Sequence, residues 1–284
     1  MINIEKKIYD AIEEVPTLPT IYSVLSDTLV SPNANAADIA HLISSDQSAS
    51  FKVLKVVNSP IYHLSSRVES ISLAVLHLGF NEIRNIILAL SVINLFSKKK
   101  LITSFRPVDF WKHSIGVGVI TRYIGNALQV PRPENYFLSG IMHDIGKLVL
   151  FENFSDQYEN VLQYAEDRKC LIIDAEREIL GIDHTTAGAI LAEKWKLPEC
   201  VCRVIKCHHD GALCEEKDVL IAATHISDIT ARILEFGYAG DDFVPKPNPK
   251  AWEMLKLPNH FFTKSIDVLT ASFDETVNSI LNCD

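Results

Sequence analysis

The chain has 284 residues, of which 48% are hydrophobic and 22% are charged, the balance of an ordinary globular protein with enough apolar side chains for a core. Its formal net charge is −9, and the acidic excess falls entirely in residues 105–284, which carry 27 acidic and 18 basic residues. This distribution argues against binding to nucleic acid, because basic patches supply most of the affinity for its phosphate backbone. Helical periodicity is common and strand-like alternation is rare, so the sequence predicts an all-α fold.

The first segment, residues 1–104, is predicted to form a series of short helices. Asp46 is placed to cap one of them, and Ser70 is placed to cap the next, which Gly79 should end. Asn81 should then cap a long apolar helix. The inward face of the helix after Asp46 is expected to carry Phe51, Leu54 and Val57.

Neither a secretory signal nor a membrane-spanning segment is visible. Met1–Asp10 is polar, and the longest apolar stretch, Ile86–Phe96, is too short to cross a bilayer. We therefore expect no membrane association and a cytoplasmic protein with reduced thiols. Four cysteines lack the spacing of a zinc knuckle and are interpreted as small apolar packing residues: Cys200, Cys202, Cys207 and Cys214.

The last segment, residues 241–284, is interpreted as a connector followed by a helix. Three prolines within residues 241–250 predict an extended connector. Beyond it, apolar residues at helical spacing predict an amphipathic helix that must cover either the core of this chain or a second subunit: Ile266, Leu269, Phe273, Val277 and Ile280.

The middle segment, residues 105–240, carries the residues with chemical potential. His143 and Asp144 form a doublet inside an apolar run, where an ionised carboxylate needs a partner or a bound cation. Imidazole and carboxylate together suit Zn, Fe, Mn, Ni or Co. Each residue alone fits a buried structural role, but seven of them in helical or helix-terminal segments predict a site for one or two divalent transition-metal ions: His113, His143, Asp144, His184, His208, His209 and Asp228.

The order of these residues resembles the signature of the HD superfamily of metal-dependent phosphohydrolases. His143-Asp144-x-x-Lys147 is similar to its HDxxK motif, and His184-x-x-x-Gly188 is similar to the HxxxG motif of its binuclear branches, which include the HD-GYP phosphodiesterases. Asp109 stands where some HD-GYP members place a glutamate ligand.

A closer resemblance, over about residues 14–215, is to the HDOD family, the HD-related output domain of bacterial signalling. Its hallmarks occur in the family's order: Leu18-Pro19, Asn58-Ser59, Leu78-Gly79, Phe110-Trp111-x-His113, Gly140 to Lys147, Glu176 to His184, and Trp195-x-Leu197-Pro198. The resemblance implies a smaller N-terminal helical subdomain packed on an HD-type helical core. The Gly-Tyr-Pro motif of the HD-GYP enzymes is absent after His209, so the resemblance supports metal binding more strongly than catalysis.

Three functions follow from this resemblance. The first is a signal-transduction output protein whose metal site responds to a nucleotide ligand or whose surface binds a signalling protein. The alternative is an active phosphohydrolase acting on a nucleotide or cyclic dinucleotide, with Asp144 and Lys147 as its catalytic residues. In that enzyme the first ion would be held by His113, His143, Asp144 and Asp228. The second ion would be held by His184, His208 and His209, with Asp144 bridging the two ions. The third is a scaffold without metal. No organic cofactor is expected, and the sequence leaves the oligomeric state open.

Overall fold

A computed structural model describes residues 4–20, 22–25, 36–44, 46–62, 64–97, 106–211 and 218–281. Within these ranges the regular structure is entirely helical, which confirms the predicted all-α fold. In the N-terminal third, the helices whose bounds fall within the described residues include α1 (Ile4–Glu14), α2 (Ala36–Ser44), α3 (Gln47–Val57), α4 (Ile71–Leu78) and α5 (Phe80–Ser97). Those that follow are α6 (Pro107–Ala127), α7 (Glu134–Met142), α8 (Ile145–Asn153), α9 (Ser155–Arg168), α10 (Ile172–Leu180), α11 (His184–Lys194), α12 (Glu199–Cys207), α13 (Val219–Ile233), α14 (Pro249–Leu255) and α15 (Ile266–Ile280).

The chain divides into two compact units. The larger contains the described residues up to Pro16 and from Phe96 to Lys264, and the smaller contains those between Thr17 and Leu95 together with those from Ser265 onward. The predicted division into segments 1–104, 105–240 and 241–284 stays a prediction. No single described helix is long and apolar enough to cross a membrane; one pair, Ile71–Leu78 with Phe80–Phe96, meets the length and composition criteria together but is bent by 117°.

Three of the four helix-end residues predicted in the smaller unit are confirmed. The Asp46 carboxylate accepts a hydrogen bond from the Ala49 amide at 2.9 Å, as expected of the cap of α3. The Ser70 hydroxyl caps α4, and Gly79 ends it with a φ of 80°. Because α5 begins at Phe80, the prediction that Asn81 caps it was wrong.

The predicted inner face of α3 was only partly right. Val57 is buried, but the Phe51 side chain is 59% exposed. Val53 and Val56 occupy the inner face instead, because the helix carries apolar residues on more than one side and its buried stripe is displaced from the predicted one.

The larger unit holds the helices that matter for function, and close contacts between glycines bring them together. A Cβ atom on Gly140 of α7 would lie 2.5 Å from the Gly118 Cα of α6. A Cβ atom on Gly146 of α8 would overlap the His184 carbonyl of α11 and lie 2.6 Å from the Gly188 amide nitrogen. These contacts allow the backbones of α8 and α11 to pack directly against each other.

The cysteines differ from the sequence expectation in one case. Cys170, Cys200 and Cys202 carry free thiols and are half-buried. Cys207 is engaged in a disulfide bond, so the expected reduced state does not hold for it. Cys214 lies outside the described residues.

Candidate metal centre

All seven predicted ligand residues lie in two neighbouring groups inside the larger unit. Within each group, one potential ligand atom per residue lies within 4.8 Å of the others. The three-residue group consists of His113, His143 and Asp228. The four-residue group consists of Asp144, His184, His208 and His209.

The His143–Asp144 doublet lies at a break between two helices rather than within one. His143 follows α7 with helical dihedral angles, whereas Asp144 precedes α8 with φ −101° and ψ 11°. Adjacent residues on a continuous helix point about 100° apart. The break removes that constraint, and the two side chains approach each other with His143 Nε2 at 3.2 Å from Asp144 Oδ2.

The remaining ligand residues also come from helix interiors or ends. His113 lies in α6 and Asp228 in α13, two helices that pack against each other. His184 opens α11, whose first turn is capped by the Asp183 carboxylate. His208 and His209 follow the last residue of α12, and His208 is its C-cap.

The carboxylate of Asp144 lies between the two groups. Its Oδ2 atom is 3.2 Å from His143 Nε2 and 3.9 Å from His113 Nε2. Its Oδ1 atom is 3.2 Å from His184 Nε2 and 3.5 Å from His208 Nε2. One carboxylate therefore offers a different oxygen to each group, the arrangement expected of a bridging ligand.

Two further distances define the groups. Asp228 Oδ1 lies 3.0 Å from His113 Nε2 and 3.9 Å from His143 Nε2. In the four-residue group, the Nε2 atoms of His184 and His209 are 2.9 Å apart. Ligand atoms of the three-residue group therefore approach one another as closely as those of the other group.

Hydrogen bonds on the far side of the rings hold three histidines with Nε2 facing the centre. His143 Nδ1 donates to the Gly140 carbonyl at 2.7 Å. His208 Nδ1 lies 3.2 Å from two carbonyl oxygens of α12, and His184 Nδ1 lies 2.6 Å from the Glu176 carboxylate. Because carbonyl oxygens only accept, His143 and His208 carry a proton on Nδ1, which leaves the Nε2 lone pair free to bind a metal.

Four potential ligand atoms are buried without a hydrogen bond of acceptable geometry. They are the Nε2 atoms of His113, His143 and His208, and Oδ1 of Asp144. A buried polar atom left unpaired costs about 1–3 kcal/mol. Two of these atoms belong to each group, so one divalent cation in each group would satisfy all four.

Three of the five histidines are held in the neutral form that a metal requires. Burial lowers the pKa of His208 to about 4. Burial also lowers the pKa of His113, and it lowers the pKa of His209 well below its usual value, with the neighbouring His208 adding to the effect. Each of these rings is therefore neutral at pH 7 and able to ligate.

The aspartates are held in the ionised form. Burial alone would raise the pKa of Asp144, but His143 and Lys147 hold it well below its ordinary value. Burial acts in the same direction on Asp228, and Arg232, followed by His113, keeps the pKa of that carboxyl well below its usual range. Both carboxylates are therefore available to a cation.

Glu176 supports His184 from behind, a role that sequence reasoning missed. Its buried Oε2 atom accepts hydrogen bonds from the His184 amide at 2.8 Å and from Nδ1 at 2.6 Å. Its Oε1 atom accepts a short hydrogen bond from the Tyr158 hydroxyl. Burial lowers the pKa of His184, but the Glu176 charge and the hydrogen bonds to Glu176 and Asp144 together outweigh it and raise the value to about 9. The sequence marked Glu176 only as a family hallmark.

Two buried cations balance the two aspartates. The Lys147 ammonium is fully buried, 2.5 Å from Asp144 Oδ2, and also donates to the Ala239 carbonyl at 2.9 Å. Arg232 Nε lies 3.2 Å from Asp228 Oδ1. Arg232 was not singled out from the sequence, although its position four residues after Asp228 on a helix was a usable signal.

Two nearby residues lie outside both groups. Asp109 pairs with Arg106 at 2.5 Å, and its backbone carbonyl accepts from the Tyr238 amide at 3.0 Å. His225, buried in α13, uses both ring nitrogens: Nδ1 donates to the His208 carbonyl at 2.8 Å and Nε2 accepts from the Asn248 amide at 2.9 Å. His225 therefore positions His208 rather than offering a ligand atom.

Comparison with known proteins decides the family. The sequence profile of the HDOD domain matches residues 15–211, well over half of the chain. The chain belongs to the HDOD family. An HDOD domain protein of Geobacter sulfurreducens has the same fold, with a TM-score of 0.78 and 25% identity over 96% of this chain and 99% of that chain.

Two further proteins similar to this HDOD protein differ in length. A Shewanella amazonensis SB2B structure, described as that of a proposed phosphohydrolase, has a TM-score of 0.75 and 21% identity over 96% of this chain and 98% of that chain; it shows the fold alone. An uncharacterised protein of Treponema pallidum (strain Nichols) is 24% identical over 231 residues, 80% of this chain and 44% of that protein. The HDOD chain spans less than half the length of the curated relatives it matches.

Proposed function

We propose that this HDOD protein is a signal-transduction output protein whose HD-type centre holds two divalent transition-metal ions and binds a phosphate-containing ligand. The convergence of seven histidines and aspartates, four of them with a buried and unpaired ligand atom, carries the proposal. Its partner is a nucleotide ligand or a signalling protein that responds to the occupied centre.

In this proposal each group holds one ion. The three-residue group, with Oδ2 of Asp144, would hold the first, and the four-residue group, with Oδ1 of Asp144, the second. The nitrogen and oxygen ligand set suits Fe, Mn, Ni, Zn or Co. When bound, such ions supply positive charge to a phosphate group. Burial keeps the His113, His208 and His209 rings neutral, and neighbouring cations keep both carboxylates ionised.

The position of Lys147 favours ligand binding over turnover. Its ammonium is enclosed between Asp144 Oδ2 and the Ala239 carbonyl, with no exposed surface. A lysine held in this way balances the charge of Asp144. The catalytic role of Lys147, in direct contact with a phosphoryl group, stays a prediction. The absence of Gly-Tyr-Pro after His209 points the same way.

A metal-dependent phosphohydrolase is the second candidate. The position of Asp144 between the two groups favours it, because two-metal hydrolases use paired ions to stabilise both the attacking and the leaving oxygen. The proposed activity of the Shewanella amazonensis protein is consistent with this alternative.

Metal reconstitution followed by a ligand panel tests the proposal. Purified protein is loaded with each of the five metals and its metal content measured, with His143→Ala as the site variant and His77→Ala, an exposed histidine of α4, as the matched control. We expect stoichiometric metal in the wild type and the control but not in His143→Ala. A thermal-shift panel of nucleotides, with product analysis, then separates binding from turnover. A nucleotide at ten times its Kd should add about 1.4 kcal/mol of stability.

The outcomes separate the candidates. Stabilisation by a nucleotide that is recovered intact supports an output module. The phosphohydrolase is supported if the protein releases phosphate from a nucleotide or opens the phosphodiester ring of a cyclic nucleotide. This turnover must require the metal and be lost in His143→Ala. Protein that binds none of the five metals contradicts both.

A further inference from the structure

A cavity of about 790 Å³ lies beside the three-residue group. His113 contributes to its wall, and the other lining residues come from the end of α13 and the segment after it, residues 232–244. Small-molecule sites commonly have volumes of about 300–1,000 Å³. The cavity therefore has room for the organic part of a ligand whose phosphate lies at the metal centre.

The cavity wall carries more negative than positive charge. Its described lining includes three carboxylates, Glu235, Asp241 and Asp242, and one guanidinium, Arg232. Arg232 is already engaged, since its Nη1 atom donates to Asp241 Oδ1 at 2.8 Å and to the Phe243 carbonyl at 3.0 Å. Its Nε atom faces Asp228. The guanidinium is therefore largely neutralised by the protein itself.

The acidic side chains divide into one structural carboxylate and two exposed ones. Asp241 is buried, and its oxygens also accept from the Ile172 amide at 3.0 Å and from the Phe243 amide at 2.9 Å. Glu235 and Asp242 are exposed at the cavity wall. A ligand in the cavity thus meets two carboxylates that the fold does not use to hold itself together.

Aromatic side chains supply the complementary surface. Tyr238 and Phe243 line this cavity and also a smaller one of about 250 Å³, to which Glu166 contributes another carboxylate. Burial, reinforced by Asp242, raises the pKa of Tyr238 to about 12, so its hydroxyl remains a hydrogen-bond donor. Aromatic rings stack on nucleobases, and carboxylates accept hydrogen bonds from sugar hydroxyls.

We propose that this cavity binds the uncharged nucleoside part of a nucleoside monophosphate, and that Glu235 and Asp242 exclude ligands that would place a second phosphate there. The location of the first phosphate rests on the proposed metal centre, whereas the nucleoside contact does not. A cyclic dinucleotide is a poor ligand by the same reasoning, because its second phosphate would meet carboxylates and an arginine that is already neutralised.

Binding measurements on a matched pair of ligands test this selectivity. Adenosine 5′-monophosphate and adenosine 3′,5′-bisphosphate differ by one phosphate, and their Kd values are measured by calorimetry on Mn²⁺-loaded protein, together with that of cyclic di-GMP. We expect the monophosphate to bind most tightly. In Glu235→Gln/Asp242→Asn the bisphosphate should gain about fivefold per removed charge, the effect of a unit charge at about 4 Å in water, while the monophosphate changes less than twofold. Glu253→Gln, an exposed acid on α14, is the matched control.

Metal-free protein separates this inference from the proposed function. Adenosine alone should bind it weakly, and Tyr238→Leu should abolish that binding. This result supports the cavity assignment even if the protein holds no metal. Equal affinity for the monophosphate and the bisphosphate, with no gain in Glu235→Gln/Asp242→Asn, overturns the inference while leaving the metal centre intact. Failure of both adenosine and its monophosphate to bind also overturns it.

Discussion

Removing the negative charge of Glu176 should weaken metal binding by an amount that depends on pH. The Glu176 carboxylate holds His184 through two hydrogen bonds, of 2.8 Å to the amide and 2.6 Å to Nδ1, and so aims Nε2 at the four-residue group. Loss of such an outer carboxylate typically lowers metal affinity by about 10–100-fold. Glu176→Gln keeps the side-chain volume and removes the charge, so it tests this contribution with little change in packing.

The pH dependence follows from the pKa of His184. In the metal-free wild type Glu176 raises that pKa to about 9, so His184 is protonated at pH 7 and must lose its proton to bind a metal. Proton competition therefore weakens wild-type binding by about 50-fold at pH 7 relative to pH 9, approaching tenfold for each pH unit below the pKa. Without Glu176, burial keeps the ring neutral throughout this range, and the variant escapes the competition.

The two effects oppose each other at pH 7 and separate at pH 9. We expect Glu176→Gln to bind Zn²⁺ about 10–100-fold more weakly than wild type at pH 9, and the gap to narrow towards pH 7. Chelator-competition titrations between pH 7 and pH 9 measure both affinities. Glu178→Gln, an exposed glutamate on the same helix, is the control for a change of surface charge. Equal affinities at pH 9, or a gap that does not change with pH, would refute the reasoning.

Three other changes probe the surroundings of the centre. Gly146→Ala should lower the free energy of unfolding in urea by about 3 kcal/mol or more, because its Cβ meets the backbone of His184 and Gly188. Gly116→Ala should cost less, because its Cβ meets only the Phe236 side chain, at 2.8 Å. Equal costs would contradict the close backbone packing. Lys147→Met should destabilise the metal-free protein by about 3–5 kcal/mol, because it leaves the Asp144 charge uncompensated. Metal should then raise the Tm of this variant more than that of the wild type. An unchanged Tm of the metal-free variant would argue against the ion pair. The pKa of Asp183 is lowered to about 2, because hydrogen bonds from Thr185, Thr186 and Arg177 outweigh the effect of its burial. The ionised side chain therefore stabilises the fold above the unfolded-state pKa of about 3.9, and this contribution is lost as pH falls through 2. The urea midpoint should therefore fall less steeply between pH 5 and pH 2 in Asp183→Asn than in the wild type. Equal slopes of the midpoint against pH would contradict this role of the Asp183 helix cap.

The seven residues that converge here were visible in the sequence because each is chemically distinctive in an apolar helical segment. A buried carboxylate such as Asp144, next to His143, has few stable roles other than pairing or metal binding, and this physical constraint acts locally. The all-α fold followed from periodicity for a similar reason. What depends on one residue and its neighbours was therefore predictable.

The remaining features depend on contacts between distant parts of the chain. The helix break at Asp144 is not marked by proline or glycine at that residue, so the sequence offered no sign that the doublet would leave a continuous helix. Asp241 bonds the amide of Ile172, 69 residues away, and no periodicity describes such a pairing. The cavity wall after α13 turns through left-handed backbone at Glu235, Gly237 and Gly240, which apolar patterning does not encode. Phe51 shows the opposite error, since local apolarity suggested burial and the fold exposes it.

Elemental analysis of the purified protein before and after reconstitution is the most direct test of the metal centre. The proposed binuclear arrangement predicts two transition-metal ions per chain in the wild type and a loss of both in Asp144→Asn, because Asp144 faces both groups. The exposed-histidine control His77→Ala should retain both ions. A wild-type protein that retains no transition metal after reconstitution, or an Asp144→Asn variant that retains two ions, would contradict the bridged two-metal centre.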